Sequence, residues 1–150
     1  METLRSKSLV IGSGEVGNAL FHILKRKYET YIRDMENAEL EGVEFLHICY
    51  PWSENFVPQT GVYIEQYKPK YTIIHSTDPI GTTRACGRNV WHSGVRGVHP
   101  KLERSLTTFI KYIGGEYSSL LLEYFGSCGI QAEFVEDQET SEAIKLWETT

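Results

Sequence analysis

A glycine-rich turn near the start of the chain limits its possible folds more than any other stretch. An apolar run at residues 9–11 leads directly into residues 12–17, GSGEVG, whose glycines have the spacing G-x-G-x-x-G. Apolar residues then recur with the period of one helix face, at Val16, Ala19, Leu20, Ile23 and Leu24. The pattern predicts a strand, a tight turn and a helix, an arrangement that holds a pyrophosphate against the free N–H groups of the helix.

Each glycine of this turn has a separate expected task. Gly12 permits the tight turn, Gly14 lets a pyrophosphate approach the backbone, and Gly17 lets the helix pack closely on the strand. We therefore predict that a dinucleotide contacts the whole turn, Gly12, Ser13, Gly14, Glu15, Val16 and Gly17. The alternative is a glycine turn of an α/β domain that binds no ligand.

Strand-like and helix-like segments alternate along the rest of the 150-residue chain. Short apolar runs predict strands at 29–34, 43–50, 71–75, 109–113 and 132–135. Helical patterns end at Tyr67, cover 117–127 and begin again at Thr140. The alternation predicts an α/β fold, a Rossmann-like doubly wound and mostly parallel sheet with helices on both faces. Because the strand at 43–50 begins only nine positions after Asp34, we expect the usual helix and third strand of a Rossmann half to be shortened or missing.

Asp34 ends the second predicted strand, 22 positions after Gly12. A dinucleotide fold places at about this position the carboxylate that binds the adenosine ribose hydroxyls. Such a carboxylate repels the additional phosphate of NADP, so we predict NAD as the cofactor, with NADP less favoured. Arg33 leaves the second option open, because an arginine beside the ribose accepts that phosphate. The alternative for Asp34 is a solvated acid at a strand end.

Two further predicted strands end in residues that suit the binding site of the same dinucleotide. Tyr50 and Pro51 end the third predicted strand, and Ser76 and Thr77 follow the fourth. Since the carboxyl ends of parallel strands meet at one edge of a sheet, we predict that these four residues contact the cofactor. Asp78 has two interpretations, a ligand contact at this edge or the N-cap of a helix that begins with proline.

Hydride transfer to or from a nicotinamide needs an acid or base beside the substrate oxygen. The candidates are His75, His92, His99 and Lys145, of which we assign Lys145 and His99 to catalysis. We assign His92 and Arg96 to the substrate, because an arginine in this glycine-containing loop is suited to bind a carboxylate or phosphate. The alternatives are structural: Arg96 and His99 cap backbone carbonyls, and Lys145 is a solvated helix lysine. The spacings of histidine and cysteine match no metal site.

Composition and charge exclude several classes of protein. A net charge of −5 and the absence of a dense basic run argue against a nucleic-acid partner. No apolar stretch approaches the roughly 20 residues that span a bilayer, so we expect no membrane partner. Cys49, Cys86 and Cys128 are widely spaced, which is typical of a reducing, cytoplasmic compartment. The expected partner is a small-molecule substrate, with a possible homodimer formed through Trp147 of the last helix.

Three motifs resemble the amino-terminal domain of the UDP-glucose/GDP-mannose dehydrogenase group, within the 6-phosphogluconate dehydrogenase-like superfamily. They are the glycine turn at 12–17, the strand that ends Cys49-Tyr50-Pro51, and the run Ser76-Thr77-Asp78-Pro79-Ile80-Gly81-Thr82-Thr83. The resemblance implies a Rossmann fold, NAD as cofactor and a contact between Thr77 and NAD. Glu142-Ala143-Ile144-Lys145 is similar to the start of that group's connecting helix and implies catalysis by Lys145. His99-Pro100 is similar to the His-Pro pair of prephenate dehydrogenases.

The sequence also departs from that group. Asp78 stands where an apolar residue is usual, and Thr149 stands where an asparagine is expected after the lysine. The Phe-Leu-x-Glu-Gly substrate segment and the catalytic cysteine have no counterpart in the sequence. We expect residues 1–140 to form the dinucleotide-binding domain and 141–150 to begin a connecting helix, with the second domain absent and little turnover by this chain alone.

Three functions are compatible with these features. The preferred one is an NAD-binding oxidoreductase domain that transfers hydride between NAD and a hydroxyl-bearing substrate, with an anionic compound or a sugar nucleotide as the candidates. The second is a non-catalytic Rossmann module that binds a nucleotide or serves assembly. The third is a Rossmann-like methyltransferase, although the three-glycine spacing favours a dinucleotide.

Overall fold

A computed structural model describes residues 7–34, 36, 39–95 and 102–149 of the chain. The strands are β1 (Lys7–Ile11), β2 (Glu29–Arg33), β3 (Val43–Ile48), β4 (Tyr71–Ile74), β5 (Val90–His92), β6 (Lys111–Gly114) and β7 (Ala132–Val135). The helices are α1 (Glu15–Leu24), α2 (Phe56–Tyr67), α3 (Thr82–Ala85), α4 (Leu102–Thr108), α5 (Ser119–Ser127) and α6 (Gln138–Thr149). No helix within these ranges is long and apolar enough to cross a membrane.

The strands form one sheet in the order β2-β1-β3-β4-β5-β6-β7. All neighbouring pairs are parallel except β5 and β6, which are antiparallel. The chain runs from β1 outward to β2 and then returns to β3 on the other side of β1, so the direction of winding reverses at β1. The predicted mostly parallel, doubly wound sheet is confirmed. Ligands of such sheets bind at this reversal, beyond the carboxyl ends of the strands.

The short connection from β2 to β3 replaces the third strand of the usual Rossmann half. β2 pairs only with β1 among the described residues, and β3 pairs directly with β1 and β4. The prediction that this strand is shortened or missing is therefore confirmed for the part of the connection that the structure covers.

One row of residues crosses the sheet and brings the strand ends into line. Ile11 is in register with Arg33 of β2 and with Ile48 of β3, Ile48 with Ile74 of β4, and Ile74 with His92 of β5. Because the row is continuous, the residues that follow it lie side by side at one edge of the sheet.

The sheet is covered by helices on both faces, and each face has its own apolar cluster. One cluster includes Val10 and Phe45 of the sheet with buried residues of α1, α4 and α5. The other includes Leu9 and Ile11 with Phe56 and Tyr67 of α2. β1 is thus buried on both faces, which explains its continuous apolar sequence.

Several element boundaries differ from the sequence prediction. α4 was not predicted, and the strand expected at 109–113 is β6, which begins at Lys111. Phe109 instead extends the helical hydrogen bonding of α4, with its N–H donating to the Ser105 carbonyl at 3.0 Å. α6 begins at Gln138 rather than at Thr140, because Asp137 Oδ1 accepts a hydrogen bond from the Thr140 N–H at 2.8 Å.

Candidate functional site

The first glycine of the turn is fixed by its neighbours on both sides. Gly12 has a φ of +115°, and a Cβ at this position would lie 2.9 Å from the backbone of Cys49 and Tyr50 at the end of β3. Its N–H donates to the carbonyl of Arg33, the last residue of β2, at 2.9 Å. Glycine is required here both by the backbone conformation and by the close approach of β3.

The other two glycines differ in the space around them. A Cβ on Gly17 would lie 1.8 Å from the Gly12 carbonyl oxygen, so α1 packs on the turn only because this residue has no side chain. A Cβ on Gly14 would meet nothing within 4 Å. Gly14 is the N-cap of α1, so the N-cap residue itself provides no side chain to cap the helix. The turn therefore leaves open space at the Cβ position of Gly14, beside the start of a ten-residue helix.

Asn18 closes the turn and was not predicted as a site residue. Its Nδ2 donates to the Ser13 carbonyl at 2.6 Å and to the Gly14 carbonyl at 2.9 Å. The only sequence signal was an amide side chain one helical turn after Gly14. The amide group thus satisfies two carbonyls of the turn and ties the turn to α1.

The side chains of Asp34 and Arg33 lie in different surroundings. Asp34 is exposed and follows the residue whose carbonyl accepts from Gly12. The Arg33 side chain is directed to α2, where its Nη1 donates to the Tyr67 hydroxyl at 2.8 Å and its guanidinium lies 5.1 Å from the centre of the Tyr63 ring. The acid is thus beside the glycine turn, while the arginine is engaged with α2.

A cleft of about 350 Å³ opens beside the turn, beyond the ends of β3, β4 and β5. Five predicted site residues line it, namely Val16, Pro51, Ser76, Thr77 and Lys145. The other lining residues are Cys49, Trp52, His75, Val95 and Leu102. Residues from six separate parts of the chain therefore meet in one place.

Tyr50, another predicted cofactor contact, does not line this cleft. Its ring packs on Phe56 and Tyr63, and its hydroxyl lies 2.7 Å from Thr60 Oγ1 in α2. The side chain is therefore turned toward α2, and the backbone of Tyr50 is the part beside Gly12.

The side chain of Lys145 passes over Gly94 and lines the cleft. Its Nζ donates to the Val95 carbonyl at 2.7 Å. A Cβ on Gly94 would lie 2.8 Å from both Cγ and Cδ of the lysine, so the lysine stem lies directly on the Gly94 backbone. This contact explains why a glycine follows Ser93 at the end of β5.

Glu142 anchors α6 one turn before Lys145. The side chain is fully buried and accepts hydrogen bonds from the Gly81 N–H at 2.7 Å, the Thr83 N–H at 2.8 Å and the Thr83 hydroxyl at 2.7 Å. The carboxylate thus caps the first turn of α3 from a distant helix. It also fixes the position of α6 relative to the segment that follows β4.

The capping interpretation of Asp78 is wrong. α3 begins at Thr82 with Gly81 at its N-cap, so Asp78 lies outside the helix. Its side chain is only 1% exposed and accepts a hydrogen bond from the Ser76 hydroxyl at 2.8 Å. Burial raises the pKa of Asp78 to about 7.

His92, expected to contact the substrate, is fully buried beside Asp78. Its Nε2 lies 2.9 Å from the Ser76 carbonyl, its Nδ1 lies 2.8 Å from Ser141 Oγ, and burial lowers its pKa to about 4. The ring is therefore a neutral internal group in this structure, and any contact with a substrate would need it to become accessible. Arg96 and His99 lie outside the described residues, so their roles stay predictions.

Comparison with known proteins supports the fold. No family model and no curated protein matches the sequence. A UDP-N-acetyl-mannosamine dehydrogenase from Staphylococcus aureus aligns with a TM-score of 0.79 and 17% identity, over 96% of this chain and 50% of that chain. A UDP-D-ManNAc dehydrogenase from Pyrococcus horikoshii aligns with a TM-score of 0.76 and 17% identity, over 95% of this chain and 49% of that one. The chain has a Rossmann fold like that of these dehydrogenases.

A third similar structure belongs to an enzyme that is not named as a sugar-nucleotide dehydrogenase. A reductive aminase from Aspergillus terreus, in complex with NADPH and ethyl levulinate, aligns with a TM-score of 0.68 and 10% identity, over 97% of this chain and 60% of that chain. At these identities the likeness concerns the fold. The Rossmann domain described here spans about half the length of the two dehydrogenases.

Two buried polar residues of the Rossmann domain near the cleft were missed by the sequence analysis. His47 of β3 is fully buried and lies 2.9 Å, Nδ1 to Nε2, from His75. Lys111 of β6 is 3% exposed, and its Nζ donates to the Ser93 carbonyl at 2.7 Å. Burial lowers the pKa of Lys111 to about 7. Both residues stand on inward faces of strands, where an apolar residue is usual, and the sequence carried no other signal.

Proposed function

We propose that this chain is the cofactor-binding domain of an NAD-dependent oxidoreductase. The observation that supports this most strongly is the contrast among the three glycines. Gly12 and Gly17 are enclosed by backbone, whereas a Cβ on Gly14, the N-cap of α1, would meet open space. A turn that only connected a strand to a helix would need the first and the third glycine, but it would have no use for the second. A pyrophosphate bound at the N-terminus of α1 would explain the second glycine, because the phosphate needs the space that a side chain would fill.

The dinucleotide would lie across the turn with its two halves on opposite sides. We infer that the adenosine ribose lies on the β2 side, where Asp34 is exposed beside Gly12. The nicotinamide half would then enter the cleft beyond β3, β4 and β5, against Val16 and Thr77. NAD is preferred over NADP, because Asp34 repels an additional phosphate while Arg33 is engaged with Tyr67 and Tyr63.

The chemistry would be hydride transfer between the nicotinamide and a hydroxyl-bearing substrate, with an anionic compound or a sugar nucleotide as the candidates. The bound cofactor supplies the hydride acceptor or donor. Lys145 brings an amine to the cleft wall, within reach of a substrate oxygen or its proton, and Gly94 holds the lysine stem in place. His99 and Arg96 remain the candidates for a second acid or base and for an anion contact.

A ligand panel tests the proposal. NAD, NADP, ADP-ribose and S-adenosylmethionine are each titrated into the protein by isothermal calorimetry, with the melting temperature as an independent readout. We expect binding in the order NAD before NADP, and no binding of S-adenosylmethionine. Binding of S-adenosylmethionine without NAD would replace the proposal with a methyltransferase, and absence of all binding would leave only a structural Rossmann module.

A further inference from the structure

His75 combines burial, a cleft position and an unpartnered nitrogen. It follows β4 and lines the cleft, yet only 2% of the residue is exposed. Its Nε2 lies 2.9 Å from His47 Nδ1. Its Nδ1 has no partner of hydrogen-bond geometry among the described residues, although the backbone of Ser93 is close enough to favour the protonated ring and raise its pKa. The Ser93 carbonyl accepts from Lys111 Nζ at 2.7 Å. A buried ring nitrogen without a partner costs free energy unless a ligand completes it.

A chain of hydrogen bonds leads from His75 into the core. His47 Nε2 lies 2.8 Å from the Tyr124 hydroxyl, which lies 2.6 Å from Ser8 Oγ. Ser8 and His47 are fully buried, and Tyr124 is 2% exposed. Burial lowers the pKa of His47 to about 3 and that of His75 well below its usual value, and Lys111 nearby acts in the same direction on both. Each ring is therefore neutral and carries one N–H.

The protons of this chain have two consistent arrangements. In the first, the Ser8 hydroxyl donates to Tyr124, Tyr124 donates to His47 Nε2, and His47 Nδ1–H donates to His75 Nε2. His75 then carries its proton on Nδ1. In the second, every bond is reversed, so the Ser8 proton is left without a partner in the chain and His75 Nδ1 is a lone pair. The first arrangement leaves one buried group without a partner, the His75 Nδ1–H. The second leaves two, the Ser8 proton and the His75 Nδ1 lone pair, so the first is favoured.

We propose that His75 Nδ1–H donates a hydrogen bond to a neutral oxygen acceptor on the nicotinamide half of the dinucleotide, and that His47, Tyr124 and Ser8 hold His75 in this tautomer. The inference rests on the proposed function, because it assumes that the nicotinamide half enters the cleft. The chain ends at the fully buried Ser8, so it offers no path for protons from solvent. Its role is to fix the direction of a hydrogen bond, and His47, Tyr124 and Ser8 are positioning residues.

Nitrogen-15 NMR of histidine-labelled protein tests the tautomer directly. We expect His75 and His47 to remain neutral with the proton on Nδ1 at near-neutral pH. Addition of NAD shifts the His75 Nδ1 signal, whereas ADP-ribose, which lacks the nicotinamide, leaves it in place. A proton on Nε2 of His75, or equal shifts with both ligands, would overturn the inference.

Two variants separate this inference from the proposed function. His75→Phe removes the donor and is expected to weaken NAD about tenfold while ADP-ribose binding stays within about twofold of wild type. Tyr124→Phe leaves His75 in place but breaks the chain, so we expect both His75 tautomers in the NMR spectrum. Equal losses for the two ligands in His75→Phe would refute the inference and leave the proposed function intact.

The remaining outcomes are also decisive. If neither NAD nor ADP-ribose binds the wild-type protein, the proposed function fails. If His75→Phe does not fold, Tyr124→Phe decides the matter, and an unchanged single His75 tautomer in that variant would contradict the assigned role of the chain.

Discussion

Two acids at the carboxyl edge of the sheet differ sharply in their contact with water. Asp34 is exposed beside the glycine turn, whereas Asp78, in the segment that follows β4, is 1% exposed. An exposed acid at this edge is free to bind ribose hydroxyls. A buried acid instead makes the stability of the protein depend on pH. The two residues therefore call for different experiments.

Asp34 is expected to set the cofactor preference. Replacing it with alanine should weaken NAD by about 1–3 kcal/mol, the cost of leaving the ribose hydroxyls without their partner, and should reduce discrimination against NADP. The exposed Glu36, two residues further on, provides the matched control as Glu36→Ala. Calorimetric titration of both variants with NAD and NADP gives the comparison. Equal affinity of the wild-type protein for the two cofactors would contradict the assignment.

Asp78 is expected to make the protein less stable as the pH rises. The carboxyl ionises near 3.8 when unfolded and near 7 in the fold, so between these values only the folded state holds the proton. The free energy of unfolding therefore falls through this range, and the loss persists above it. His47 and His92, whose pKa values are lowered, act in the opposite sense at acid pH, so the difference between Asp78→Asn and wild type isolates the contribution of Asp78.

The measurement is urea unfolding of both proteins at several pH values. We expect the variant to gain on the order of 2 kcal/mol relative to wild type between about pH 4 and pH 8. The exposed Asp34→Asn serves as the control for the substitution itself. A difference between Asp78→Asn and wild type that stays constant across this range would mean that Asp78 ionises normally in the fold.

At the scale of secondary-structure elements, α6 depends on a contact made far from it in sequence. Glu142 accepts three hydrogen bonds from Gly81 and Thr83, and the same helix carries Lys145 to the cleft. The carboxylate is fully buried, so each donor would be left without an acceptor if it were removed. The position of the candidate catalytic amine is thus coupled to the first turn of α3.

Glu142→Gln is expected to destabilise the protein by about 2–4 kcal/mol, because the amide turns an NH2 group, itself a donor, toward donors that need an acceptor oxygen. Glu123→Gln on the exposed surface of α5 should change stability by less than about 0.5 kcal/mol. Chemical unfolding measures both. Equal stabilities of the two variants would show that the buried carboxylate does not hold α6 in place.

The elements that could be predicted from the sequence are those with a local signal. β1, the glycine turn and α1 follow from apolar period and glycine spacing. The strands predicted at 43–50 and 71–75 exist, but β3 ends at Ile48 and β4 at Ile74, one or two residues earlier than predicted. α4 was not predicted, although Leu102, Ser105 and Leu106 are buried at helical spacing, because two apolar positions in a seven-residue helix are too short a pattern to indicate one. His47 and Lys111 could not be found, since their partners lie on other strands and helices, and only the tertiary fold brings them together.

At the scale of the whole molecule, the sheet order gathers these residues at one edge. The row from Arg33 to His92 aligns the ends of five strands, so the turn, Asp34 and the cleft lie next to one another. Trp147 of α6 is 83% exposed on the same domain, and pairing of two copies through it remains a prediction. The site therefore depends on the topology of the sheet, while its specificity depends on single residues along the edge.

The central claim, that a dinucleotide is seated on the glycine turn, is tested most directly by alanine at Gly14. A Cβ there meets no protein atom within 4 Å, and the same is true of Gly61 in α2, so Gly14→Ala and Gly61→Ala form a matched pair that should both fold. Calorimetric titration with NAD should give wild-type affinity within about twofold for Gly61→Ala and at least about tenfold weaker binding for Gly14→Ala, because the added methyl group occupies the place of the pyrophosphate. Unchanged NAD affinity in Gly14→Ala would contradict the account.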